Sequence, residues 1–189
     1  MDYLINMIKI KSLEIEDVLL LEIPLYNDNR GSFIESFSDK INKILGINLS
    51  WIQDNESISK KNVFRGLHFQ TGKFAQSKLI RVSQGKIVDI LIDLRVNSKT
   101  YKKLIIVKIE SRNKILYIPK GIAHGFLSLK DNTIVNYKCD TLYNPSYESG
   151  INPFISNINL DLGINEIDLI ISDKDKSLPS LDKSYNFEL

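Results

Sequence analysis

The sequence predicts an all-β protein, a sandwich or barrel of short strands. Three observations predict it: short apolar runs crowd the stretch from about residue 63 to residue 139, turn-forming residues separate them at regular intervals, and helical periodicity is weak almost everywhere. Earlier in the chain, Phe33, Glu35 and Phe37 alternate with Ile34 and Ser36, the period of two expected of a strand. Ser38-Asp39 then opens a short helical pattern with Ile41, Ile44 and Leu45 on one face, and Gly46 stands where a C-cap glycine belongs. Residues 78–83 and 86–94 flank Gln84-Gly85, which reads as a hairpin turn; residues 101–109 and 114–118 flank Ser111-Arg112-Asn113; residues 124–129 and 133–139 flank Lys130-Asp131-Asn132. The run from Asp89 to Leu94 reads as a strand buried on at least one face. After Asn144-Pro145 the strand signal fades, and residues 151–189 are expected to form loops and a short helix packed on the barrel. The organisation expected is one domain over residues 1–189 with its core at about 19–150, without internal repeats.

Composition narrows the functional classes. Hydrophobic residues make up 43% and charged residues 25%, enough for an ordinary globular core. The abundance of Ile, Leu, Lys and Asn reads as coding bias before function. A net charge of +2, with lysines and acids interspersed, lacks the basic stripe of a nucleic-acid binder. The single cysteine, Cys139, rules out an intrachain disulfide and fits a reducing compartment. No apolar run approaches the roughly 20 residues of a membrane span. The segment Met1 to Met7 carries Asp2 and lacks the charged start and cleavage site of a signal peptide, and Met7 is itself a candidate start. The expected location is the cytoplasm, with neither nucleic acid nor membrane as a partner.

Few residues offer chemistry. The two histidines, His68 and His124, sit in Arg65-Gly66-Leu67-His68-Phe69-Gln70 and Gly121-Ile122-Ala123-His124-Gly125-Phe126. Taken singly, a strand histidine is more often structural than catalytic. A metal site is poorly supported, because Leu67 and Phe69 stand where a second ligand of a His-x-His pair would be. Lys78 and Arg81, three apart on a strand, face opposite ways, and Tyr137 and Cys139 share a face. Their ordinary readings are solvated charges and a core tyrosine, and that of Asp175 is a surface turn. The residues alone reach a β-barrel with polar candidates and no reaction.

Read together, these segments resemble the dTDP-4-dehydrorhamnose 3,5-epimerase family from about Leu19 to Asp175. In order, the motifs are Asp28-Asn29-Arg30-Gly31-Ser32-Phe33-Ile34-Glu35, Gln53-Asp54-Asn55-Glu56-Ser57, Arg65-Gly66-Leu67-His68-Phe69-Gln70, Gln76-Ser77-Lys78-Leu79-Ile80-Arg81-Val82, Asp93-Leu94-Arg95, Ser98-Lys99-Thr100-Tyr101, Ile118-Pro119-Lys120-Gly121-Ile122-Ala123-His124-Gly125-Phe126, Tyr137-Lys138-Cys139 and Ser172-Asp173-Lys174-Asp175. The chain departs from the family at Ile151-Asn152-Pro153-Phe154 and Leu160-Asp161-Leu162-Gly163.

The resemblance implies a cupin double-stranded β-helix, or jelly roll, with short peripheral helices, acting as a homodimer without metal or organic cofactor. It implies inversion of C3 and C5 of dTDP-4-dehydro-6-deoxy-D-glucose to give dTDP-4-dehydro-L-rhamnose, a precursor of L-rhamnose in polysaccharide. His68 matches the family's base, Asp175 the carboxylate that orients it, Tyr137 the acid, and Lys78 the cation at the enolate oxygen. Arg30, Glu35, Gln53, Asn55, Arg65, Lys78, His124, Glu148 and Lys174 match ligand contacts, and Tyr143 matches an aromatic that stacks on the thymine. The alternatives are a relative that epimerises one carbon or moves the keto group, a metal-dependent cupin enzyme, and a non-catalytic sugar-binding module.

Overall fold

The computed structural model describes residues 8–156, 160 and 162–188. The N-terminal heptad considered for a leader, and Asp161 of the divergent Leu160–Gly163 motif, lie outside them. Two antiparallel sheets dominate. The six-stranded sheet runs in the order β1 (Lys9–Ser12), β2 (Leu19–Glu22), β10 (Lys114–Ile118), β7 (Lys78–Gln84), β12 (Thr133–Cys139), β5 (Gln53–Ser59). The five-stranded sheet runs β13 (Glu148–Gly150), β6 (Phe64–Gln70), β11 (Ile122–Ser128), β8 (Ile87–Asp93), β9 (Leu104–Ile109). Among the described residues no helix is long and apolar enough to cross a membrane.

The connections make this a jelly roll of the cupin class, as the family resemblance implied. From β5 to β8 the chain changes sheet at every step, and it does so again from β9 through β13. The Gln84-Gly85 hairpin is therefore corrected: β7 pairs with β10 and β12, β8 with β11 and β9, and the turn between them is a corner joining the two sheets. The turns at 111–113 and 130–132 are corners of the same kind. A tight turn with Gly at φ +84° looks the same locally whether the next strand pairs with its neighbour or folds over it.

Three apolar layers hold the sheets. Ile80, Val82, Ile87, Leu91, Leu116, Phe126 and Val135 meet between them. Outside the five-stranded sheet, Val88, Ile90, Ile92 and Leu127 pack against the C-terminal segment through Ile151, Phe154, Leu169, Ile171 and Phe187. Outside the six-stranded sheet, Leu21, Leu79 and Ile115 meet helix α1 (Lys40–Leu45) through Ile41, Ile44 and Leu45. Covered on both faces, β8 is buried at every position, which is why its sequence is nearly continuous in apolar residues. Gly46 caps α1 in the left-handed region at φ 68°, as its position predicts.

Two expectations need correction. The strand read through Phe37 ends at Phe33, because β3 (Tyr26–Asp28) and β4 (Gly31–Phe33) form a hairpin outside both sheets, with nothing for residues beyond Phe33 to pair with. Ile34 and Phe37 pack instead beside α1. Strand structure also continues past Asn144-Pro145: β13, spelled Glu-Ser-Gly, pairs with β6 without any apolar signal of its own. The expected late helix is α2 (Asp173–Lys176), capped by Ser172, whose Oγ accepts the Asp175 N–H at 3.1 Å.

Two motifs of the resemblance are structural. Buried Asp93 accepts bonds from Arg95 Nε and Nη2 at 3.0 Å and from the Ser98 and Thr100 hydroxyls at 2.7 Å, which ties the loop after β8 to the sheet. Nearer the cavity, β6 and β11 approach so closely that a Cβ on Gly125 would lie 2.5 Å from the Arg65 carbonyl oxygen and 2.9 Å from Gly66 Cα. The pairing carries a register shift there, and His68 and His124 emerge opposite each other on adjacent strands. Gly125→Ala is expected to cost about 1–3 kcal/mol, seen as a fall in melting temperature of roughly 2–12 °C. An unchanged melting curve would show that the strands separate freely.

Candidate active site

The inward faces of the two sheets leave one large cavity, about 490 Å³, above the apolar interior. Strand alternation decides which residues enter it. His68 on β6 and His124 and Phe126 on β11 line one wall; Asn55 on β5, Lys78 on β7, and Tyr137 and Cys139 on β12 line the opposing wall. Phe126 and Tyr137 also touch the interior cluster and close the floor. Arg81 lies outside this cavity, on the other face of β7 from Lys78, as their spacing predicts.

His68 is held from behind. Its Nε2 lies 2.8 Å from Asp175 Oδ1, while Asp175 Oδ2 accepts the Gly66 N–H at 3.1 Å. Asp175 is only 6% exposed, so its reading as a surface turn does not hold. Burial alone would raise its carboxyl, but the hydrogen bond and charge contact with His68, helped by Gly66 and Ser172, hold it below the ordinary carboxylate range. With Nε2–H donated to that anion, the imidazole lone pair resides on Nδ1, which has no hydrogen-bond partner among the described residues.

The opposing wall holds its protons differently. Burial pushes the Tyr137 phenol above its ordinary value, with Cys139 and Glu148 adding to the effect and Arg65 opposing it. Burial pulls the Lys78 ammonium below its ordinary value, against Cys139, Asp89 and Glu148, which favour the cation. The thiol of Cys139 is raised by burial.

At the mouth, Glu148 receives Lys174 Nζ at 2.6 and 2.7 Å and the Tyr143 hydroxyl at 2.6 Å. Tyr143 donates its backbone N–H to Gln53 Oε1 at 2.7 Å, and Gln53 Nε2 donates to Asn55 Oδ1 at 2.9 Å. Arg65 donates to Ser59 Oγ at 3.1 Å and lines the same opening. Tyr143 is 48% exposed as a residue, and its ring offers a planar face at the opening.

The cavity thus gathers every predicted site residue except Arg30 and Glu35. Arg30 stands on the β3–β4 hairpin, its side chain 86% exposed and paired with Asp28 at 2.6 Å. Glu35 contacts Lys40 at 3.6 Å and lines a small separate hollow beside α1. The sequence reading missed Asp89, fully buried on β8 with its carboxylate against His124. Its signal was an acid, one of two with Asp93, in an otherwise apolar strand. Among the described residues no three His, Cys, Asp or Glu side chains group as a metal-ligand set.

Comparison with known proteins points to one family. A family model described as dTDP-4-dehydrorhamnose 3,5-epimerase matches residues 12–183. A curated dTDP-4-dehydrorhamnose 3,5-epimerase from Methanothermobacter thermautotrophicus is 44% identical over 165 residues, covering 86% of this chain and 89% of the relative. The crystal structure of the enzyme of that name from Elizabethkingia anophelis superposes with a TM-score of 0.87 at 36% identity, covering 95% of this chain and all of the other. An epimerase from Legionella pneumophila, solved in complex with dTDP-4-keto-L-rhamnose, superposes with a TM-score of 0.87 at 34% identity over 93% of this chain and 94% of its own.

Proposed function

The chain belongs to the dTDP-4-dehydrorhamnose 3,5-epimerase family, and from that premise we propose that it inverts C3 and C5 of dTDP-4-dehydro-6-deoxy-D-glucose, with His68 as base and Tyr137 as acid. The observation that carries this reading is that His68 and Tyr137 line one cavity from opposing sheets.

The C4 ketone acidifies the C–H bonds on either side of it. Nδ1 of His68 takes a proton from one ring face, and the imidazolium so formed is stabilised by Asp175 at 2.8 Å. The electron pair moves onto the C4 oxygen, where the ammonium of Lys78 meets the developing charge. Tyr137 then delivers its proton to the same carbon from the opposite face, and the centre inverts. A phenol raised by burial keeps its proton at neutral pH until the carbanion calls for it. At the mouth, Lys174 and Arg65 supply cations for the diphosphate, Tyr143 a stacking face for the base, and Gln53, Asn55 and Glu148 orient that end. No step requires a metal or an organic cofactor.

A homodimer belongs to the same proposal. Arg30 and Glu35 match ligand contacts of the family yet stand outside their own chain's cavity, so a second copy is needed to bring them to a ligand. The exposed aromatic residues of the hairpin, Tyr26 and Phe33, are the surface such a copy would cover. Light scattering is expected to return twice the chain mass, and a monomer mass contradicts the proposal.

Turnover of the 4-keto sugar in deuterated water tests the reaction. Deuterium at both C3 and C5 of an L-configured product is the expected result. Label at one carbon alone would make this a single-centre epimerase.

A further inference from the structure

The cavity contains a second histidine–carboxylate pair that the reaction as derived above leaves without a task. His124 lines the same wall as His68, and its Nε2 stands 2.9 Å from Oδ1 and 3.1 Å from Oδ2 of Asp89, of which only the Oδ2 contact has hydrogen-bond angles. Asp89 sits diagonally across from His124 on β8, fully buried, and its Oδ1 accepts no hydrogen bond. An ionised carboxylate sunk this deep with one oxygen unsatisfied is costly.

We propose that Asp89 is a positioning residue: it retains a second proton in its pair with His124, so that Nδ1 of that ring carries hydrogen and donates to the C4 oxygen as the oxygen becomes anionic. The alternative state of the pair would be counterproductive. With one proton, given from Nε2 to an ionised Asp89, the ring presents an Nδ1 lone pair to the cavity and repels an oxyanion. With two, one lies between Nε2 and the carboxylate and the other on Nδ1, and the pair adds a neutral or cationic donor beside Lys78. Burial, which pushes the Asp89 carboxyl up against the opposing pull of His124, Lys78 and the Ile90 N–H, acts in the same direction. Lys78 on β7 is the charged group that faces the pair, and beyond it stand Cys139 on β12 and Glu148 on β13. The β11 and β9 residues opposite Asp89 are Phe126 and Val107, both apolar. This role rests on the epimerase reading for its oxyanion, but its test does not.

The chain has two histidines, so its imidazole nitrogen spectrum holds two rings, assigned by the loss of one in His68→Ala. At about pH 8, well above the ordinary histidine value of about 6.5, Nδ1 of His124 is expected to resonate as a protonated nitrogen in the wild type and to lose that signature in Asp89→Leu, which fills the buried site without a donor or acceptor for Nε2. The same variant is expected to lower kcat about 10²-fold, the scale of one oxyanion donor, with KM and dTDP affinity little changed. An unprotonated Nδ1 in the wild type at that pH overturns the inference. So does a folded Asp89→Leu protein with wild-type kcat. The wild-type spectrum decides the point even if the variant fails to fold. It also stands apart from turnover: a wild type that leaves the keto sugar unconverted contradicts the proposed function, while the ring signature speaks only to Asp89.

Discussion

An alanine in place of His68 is expected to reduce epimerisation by about 10²–10⁴-fold, the range for a positioned general base, while dTDP binds within a few-fold of the wild type. The separation follows from where the contacts lie. Arg65, Lys174 and Tyr143, the groups proposed to hold the diphosphate and the base, stand at the cavity mouth, and none of them is held by His68. Alanine leaves Asp175 with the Gly66 N–H and the Ser172 cap but without an imidazole, so some loss of melting temperature is expected too. His68→Asn, which keeps an amide near Asp175, serves as the control for folding. Calorimetric titration with dTDP and a progress curve with the keto sugar separate binding from turnover. Wild-type turnover in either variant would remove His68 from the base role.

Tyr137→Phe is expected to lower formation of the inverted product by about 10²-fold or more, with a smaller effect on stability. The substitution deletes one hydroxyl from a ring that packs at the cavity floor against the interior cluster, so the packing survives. What is lost is the proton on the wall opposite His68. The base can still make the enolate, since Lys78 and Asp175 are untouched, and the returning proton then comes from the face it left. In the proposed reaction Tyr137 governs the stereochemical outcome, and His68 whether the carbon acid is ionised at all.

Much of this was legible in the sequence, for reasons that differ by element. A period of two reports which way a side chain faces, so the opposite placement of Lys78 and Arg81 and the shared face of Tyr137 and Cys139 followed from spacing alone. The same period does not say which sheet a strand joins, and Gln84-Gly85 was accordingly misread as a hairpin when it is a corner. Strand β13 was illegible because its Glu-Ser-Gly residues are recruited by the β6 edge, with no apolar pattern of their own. At the site, His68, Lys78 and Tyr137 were reached through the resemblance, since an isolated strand histidine or tyrosine has a structural reading that chemistry alone does not displace. Asp175 looked like a surface residue because its short helix lies in a polar sequence; the burial comes from packing over β6, which local composition does not report. Asp89 was hidden by the opposite bias, as one of two acids in a run whose apolar character defined the strand.

The claim at the centre is that proton removal and proton return take place on facing walls of one cavity, by different residues. Incubating the Tyr137→Phe protein with the 4-keto sugar in deuterated water, and recovering the starting sugar, tests it most directly. The account predicts deuterium entering the recovered sugar at the carbons beside the ketone with their original configuration, while inverted product scarcely accumulates. Inverted, labelled product formed at the wild-type rate would contradict it.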